Sequence, residues 1–179
     1  MYQNVLVIGA ESLSNLVDWK DRSTCILFGD GAGAVVLRVE EGESYQMVTH
    51  SDGSKGEALT CDTGSFMKMD GQEVFKFAAR QVPACITEVV EHNHLMVEDI
   101  DYFILHQANR RIVEAVAKRM KVELTKFPMN LQEYGNTSSA SIPLLLDEMN
   151  REGRLKKGQK LVLAGFGAGL SWGASLLEW

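Results

Sequence analysis

The chain has 179 residues, 45% of them hydrophobic, which is enough to bury a core and describes one domain with attached elements rather than a disordered polymer. Its formal charge of −6 excludes overall attraction to nucleic acid or an anionic membrane surface, so any acidic partner must be met by a local basic patch. No apolar run approaches the roughly 20 residues that span a bilayer, and Cys25, Cys61 and Cys85 form no C-x-x-C pair, so we expect no metal site and a reduced, cytoplasmic setting.

The chain opens on a strand pattern. Residues 5–8 (VLVI) read as a strand buried on both faces. Nothing resembling a turn or cap precedes them, as though the start of a larger domain lay elsewhere. Residues 24–28 and 34–39 read as two further strands, joined by the glycine-rich stretch Gly29-Asp30-Gly31-Ala32-Gly33. A nucleotide-binding fingerprint needs a helix after the glycines, and strand continues here, so a closely packed glycine hairpin is the better reading.

Residues 40–43 form an acidic turn, 46–50 another strand, and 51–65 an irregular surface segment rich in Asp-Gly and Thr-Gly pairs. From 73 to 92 the apolar positions Phe75, Ala78, Val82, Ile86 and Val89 recur at helical spacing, with Pro83 expected to kink or break the helix. Residues 102–105 form a short apolar strand running into His106. A helix from Asn109 to about Met120 then turns Ile112, Val113, Val116 and Met120 inward and leaves Arg111, Lys118 and Arg119 on its other face.

Residues 127–131 read as a weak strand, Ser139 and Ser141 as capping hydroxyls, and 144–150 as a helix that Gly153 ends. Strands at 160–164 and 170–179 flank a turn, Gly165-Phe166-Gly167-Ala168-Gly169. Strand–helix–strand units of this kind predict a layered α/β architecture on a central sheet.

Three turns at strand ends carry the polar chemistry. Ligands in open parallel sheets collect at the carboxyl ends of strands, so these turns are candidates for a single site. His106 at a strand end can serve as an acid, a base or a donor. The amides Gln107 and Asn109 beside it are poor choices for a dry core unless each polar group is satisfied. Asn136, in a Gly-Asn-Thr-Ser-Ser run, is ordinary turn chemistry on one reading and an amide aimed at a developing negative charge on the other. The glycine turn around Ala168 is either a plain tight turn or a presenter of a backbone N–H to an oxyanion. The cysteines are poor nucleophiles: Cys25 falls in a strand pattern, Cys61 in a loop and Cys85 in a helix.

The segments HQANRR (106–111), YGNTSSAS (134–141), FGDGAGA (28–34) and GFGAGLSWG (165–173) together resemble 3-ketoacyl-[acyl-carrier-protein] synthase III across essentially the whole chain. The resemblance implies the thiolase-like layered fold, with residues 1–40 as the last strands of the N-terminal half and 41–179 as the C-terminal half. It implies a condensation of an acyl-CoA primer with malonyl-acyl carrier protein, with CoA and phosphopantetheine thioesters as substrates and no cofactor.

His106 and Asn136 would be the histidine and asparagine of the family's Cys-His-Asn triad. The N–H of Ala168, in a turn that is often all glycine, would help to hold the tetrahedral oxyanion. By the same resemblance Asn109 and Arg111 lie near the pantetheine arm, and Met69, Gly71 and Phe75 line its tunnel. Lys76, Arg111, Lys118 and Arg119 would receive the acidic carrier protein.

The nucleophilic cysteine of the family belongs to an earlier segment with no counterpart here. The implied expectation is an inactive chain by itself, prone to aggregate, and acting as a homodimer or with a complementary N-terminal chain. The alternatives are a non-catalytic, truncated module that binds CoA or carrier protein, or another thiolase-fold condensing enzyme such as a polyketide starter or 3-hydroxy-3-methylglutaryl-CoA synthase.

Overall fold

A computed structural model describes residues 2–42 and 45–179. In chain order the strands are β1 (Asn4–Glu11), β2 (Gly31–Arg38), β3 (Met47–Ser51), β4 (Leu59–Thr60), β5 (Lys68–Met69), β6 (Tyr102–Leu105), β7 (Lys160–Gly167) and β8 (Ser171–Glu178). The α-helices are α1 (Gly71–His92), α2 (Arg110–Met120), the single turn α3 (Leu131–Tyr134) and α4 (Ser141–Arg151). The acidic turn expected at 40–43 lies partly outside the described residues.

The centre is a four-stranded sheet in the order β3-β8-β7-β6, with β6 and β7 parallel and the other pairs antiparallel. Alternation along β6 places its side chains in two cores, as a strand covered on both faces requires. Phe103 and Leu105 join Ala78, Ile86 and Val89 of α1 and Val113 and Val116 of α2 on one face. Ile104 points the other way, to Leu145, Leu146 and Met149 of α4. The result is helix, sheet and helix in layers.

α1 starts where Asp70 Oδ1 accepts the backbone N–H groups of Gln72 and Glu73, at 3.0 and 3.1 Å. It then runs through Pro83 without the local break that was one of the two expectations. Proline removes one donor from the helix, but Val82, Pro83, Ile86 and Val89 are all buried, and their packing outweighs that loss.

Two expected strands are absent. Residues 24–27 fold as turns, with Phe28 in an isolated bridge to Asn136, because Asp21 captures the start of the segment: its carboxylate accepts the Ser23 N–H and the Thr24 hydroxyl, each at 2.9 Å, and its carbonyl accepts the Cys25 N–H at 3.0 Å. β1 therefore pairs with β2, in register from Asn4 opposite Arg38 to Glu11 opposite Gly31. The glycines of that stretch do permit close packing, since a Cβ on Gly33 would lie 2.7 Å from Pro143 Cβ. Residues 127–131 are no strand either: Phe127 stacks on Phe103 at 4.9 Å, and the Asn130 N–H is taken by the Gln107 side chain.

The β1–β2 hairpin forms its own sheet; Val35 packs against the second core, and the opposite face carries Leu6, Ile8 and Val36 into solvent, 59%, 62% and 70% exposed. No described helix is long and apolar enough to cross a membrane.

Candidate active site

His106 leaves the end of β6 held from three sides. Its backbone N–H donates to the Ala164 carbonyl of β7 at 2.8 Å, so the strand pairing continues one residue past β6. Its ring meets Phe166 edge-on, 5.5 Å between centroids, and its Nδ1 lies 2.7 Å from Ser141 Oγ at the start of α4. The apolar surroundings favour the uncharged ring and pull its pKa down to about 4. His106 is therefore a neutral imidazole at physiological pH.

Asn136 is set by a different device. Its backbone N–H donates to the Leu27 carbonyl at 2.8 Å and its carbonyl accepts the Gly29 N–H at 2.9 Å, so the loop before β2 clamps it. Its side-chain Oδ1 accepts the Ser138 N–H at 2.9 Å, which leaves the amide NH2 as the free donor end. This turn holds Ser138 at a φ of 49°, in the left-handed region that a side chain resists. Ala168 sits in the turn between β7 and β8, just past the Gly167–Ser171 pair.

These three turns line one cleft of about 1250 Å³. Asn109 and Arg111 line it from the start of α2, and Met69, Gly71, Phe75 and Lys76 from β5 and the start of α1. Asn109 Oδ1 caps α2 by accepting the Arg111 N–H at 2.8 Å, and the Arg111 guanidinium lies 5.4 Å over the Phe75 ring. Lys118 and Arg119 are outside the cleft, exposed on the last turn of α2. Lys76 is partly neutralised: it and Lys55 both bond Glu73 at 2.8 Å and hold that carboxyl down at about 2.

Two neighbours of His106 escaped the sequence reading. Ser141 was expected to cap α4, but no side chain caps that helix and its hydroxyl turns to the imidazole instead. Phe166 stood in the glycine turn with nothing in its spacing to mark a ring packed on His106.

Residues 90–179 match the model for the C-terminal part of 3-oxoacyl-[acyl-carrier-protein (ACP)] synthase III, and residues 1–56 match the model named for the same synthase. The chain belongs to the 3-oxoacyl-[acyl-carrier-protein] synthase III family. It is 48% identical to the beta-ketoacyl-[acyl-carrier-protein] synthase III of Clostridium novyi (strain NT), over 99% of this chain and 59% of that protein. The crystal structure of the synthase III of Aquifex aeolicus VF5 superposes with a TM-score of 0.95 at 45% identity, over 99% of this chain and 58% of that one. That of Pseudomonas aeruginosa PAO1 gives 0.93 at 38%, with 99% and 58% covered. The fold is thiolase-like, and the chain spans about three fifths of the length of the synthase III relatives it matches.

Proposed function

We propose that this chain supplies the decarboxylation half of a ketoacyl synthase III site, condensing an acyl-CoA primer with malonyl-acyl carrier protein in fatty-acid initiation. The observation that carries the reading is the convergence of a neutral His106, an Asn136 whose oxygen is already occupied, and the Ala168 turn on one cleft.

Loss of CO2 from a malonyl thioester breaks a C–C bond and sends its electron pair toward the thioester oxygen as an enolate. That oxygen needs donors where its charge develops, and a neutral imidazole N–H with an amide NH2 are two donors that bring no competing charge. The enolate carbon then attacks an acyl-thioester carbonyl. The Ala168 N–H serves the tetrahedral oxyanion, and the thiolate leaves.

The thiolate is read as coming from outside this chain, because none of its three cysteines suits the task. Cys85 is buried on α1 and burial pushes its thiol up to about 11. Cys25 lies in the turns that Asp21 organises, and Cys61, although it lines the cleft, is an exposed loop residue whose Sγ lies 3.7 Å from the Ser65 carbonyl. The hairpin of β1 and β2 fits the same idea as the end of an N-terminal half, with a boundary near residue 40 and apolar side chains meant for a complementary segment or a dimer partner. Met69, Gly71, Phe75 and Asn109 would flank the pantetheine arm. Arg111, Lys118 and Arg119 would draw the acidic carrier protein, with Lys76 a weaker contributor because Glu73 holds it. Three free cysteines accord with a reducing, cytoplasmic setting.

Incubation with a radiolabelled acyl-CoA tests this. The chain alone should retain no stoichiometric label, and label on Cys25, Cys61 or Cys85 would overturn the reading.

A further inference from the structure

We propose that Ser141 is a positioning residue for His106: its hydroxyl donates to Nδ1, so the ring carries its proton on Nε2 and presents that N–H to the cleft. The proposal deepens the reading of His106 as an enolate donor and rests on it for its functional meaning.

Protons and lone pairs around the hydroxyl decide the tautomer. Ser141 is 2% exposed, and its Oγ has two near neighbours, His106 Nδ1 at 2.7 Å and the Gln107 backbone nitrogen at 3.3 Å. A backbone N–H only donates, so Gln107 occupies one lone pair of the hydroxyl oxygen. The hydroxyl proton then needs an acceptor, and among the described contacts Nδ1 is the one within reach. If Nδ1 carried the ring proton instead, it would donate to Oγ and leave the serine O–H buried without an acceptor, a condition that folded proteins rarely tolerate. The other ring nitrogen, Nε2, bears the proton.

The surrounding network fixes this geometry. Gln107 is 1% exposed; its Nε2 donates to the Leu105 carbonyl at 2.8 Å and its Oε1 accepts the Asn130 N–H at 3.2 Å. Asn130 in turn donates through Nδ2 to Glu148 Oε2 at 2.9 Å, on the helix that Ser141 begins. The residue after His106 and the residue that touches its ring are thus tied to the same helix, and turning the imidazole would break its hydrogen bond to Ser141.

The proposal is tested by ring nitrogen–proton correlation spectroscopy on the chain labelled with ¹⁵N-histidine, with His106→Gln identifying the signal among the four histidines. The expected wild-type pattern is a pyrrole-type Nε2 and a pyridine-type Nδ1 at neutral pH. Ser141→Ala should shift both nitrogens toward the average of the two tautomers, Ser141→Thr should restore the wild-type pattern, and the other three histidines should not move. A pyrrole-type Nδ1 in the wild type, or an Ala variant with unchanged nitrogens, would overturn the proposal. The wild-type spectrum decides the tautomer, and Ser141→Cys, nearly the volume of serine with a weaker donor, reads the serine's part should the alanine variant fail to fold: its nitrogens should move in the same direction, and unchanged nitrogens there would overturn the proposal. A complete enzyme that showed the Nε2–H tautomer and still could not decarboxylate malonyl thioesters would sink the functional reading and leave the role of Ser141 standing.

Discussion

The central sheet and the β1–β2 hairpin are written in the same apolar residues and meet opposite fates. In β6 and β7, Ile104, Leu105, Leu161 and Val162 are covered by helices on both faces. In the hairpin, Leu6, Ile8 and Val36 are more than half exposed although the strands are paired along their whole length. Backbone pairing satisfies hydrogen bonds, but only a second layer removes side chains from water. The sheet is thus finished within this chain, and its carboxyl-end turns hold their side chains rigidly. The hairpin leaves Leu6, Ile8 and Val36 on a face in water.

The sharpest way to break that contrast is to delete the same kind of side chain from each region. Leu145→Ala, beneath the sheet and 1% exposed, should destabilise the fold by about 2–5 kcal/mol in urea unfolding, combining lost transfer energy with a residual cavity. A loss below about 1 kcal/mol would mean that the second core is loosely packed.

The site itself should respond next. His106 is held at about 4 when folded and returns to an ordinary value near 6.5 when unfolded, so between these limits the unfolded chain binds the extra proton. Stability therefore rises with pH across this window and is lost as pH falls, by up to about 3 kcal/mol. Unfolding measured from pH 7 down to pH 5, above the ordinary carboxylate range, should show the slope, and His106→Gln should flatten it. Equal slopes in the two proteins would contradict the desolvated imidazole.

Smaller effects test the edges of each region. Ser138→Gly should relieve the left-handed backbone beside Asn136 and raise stability by about 1 kcal/mol, read as a higher Tm. Ile8→Ser should change unfolding free energy by less than about 0.5 kcal/mol while reducing self-association in sedimentation. If the serine variant lost several kcal/mol, or associated as before, the hairpin face would not be a docking surface.

The sequence revealed which turns meet at the cleft better than it revealed all the strands. The run before His106 is apolar and the residues after it are polar and then helical, so both the strand end and the helix start were legible, with Asn109 at the cap. Residues 24–28 misled because β-branched and apolar side chains look alike in a strand and in a turn. The deciding residue is Asp21, whose carbonyl takes the Thr24 and Cys25 N–H groups that a strand would need, while its carboxylate holds the Ser23 N–H and the Thr24 hydroxyl. Phe127 misled likewise, its ring being used for stacking on Phe103 rather than for a sheet. Ser141 was illegible for a subtler reason: a serine opening a helix is normally a cap, and only the three-dimensional approach of β6 to α4 gives its hydroxyl the imidazole as a partner.

The donor pair of His106 and Asn136 is proposed to work with a thiolate supplied from outside this chain. Its most direct test is ketoacyl product formation from acyl-CoA and malonyl-acyl carrier protein, comparing the chain alone with the chain joined to a cysteine-bearing N-terminal portion of a synthase III. The expected result is no product alone, product when joined, and a further fall of about 10²–10³-fold on Asn136→Ala in the joined protein, the scale of losing one oxyanion donor. Product from the chain alone, or full activity in the alanine variant, would contradict the claim.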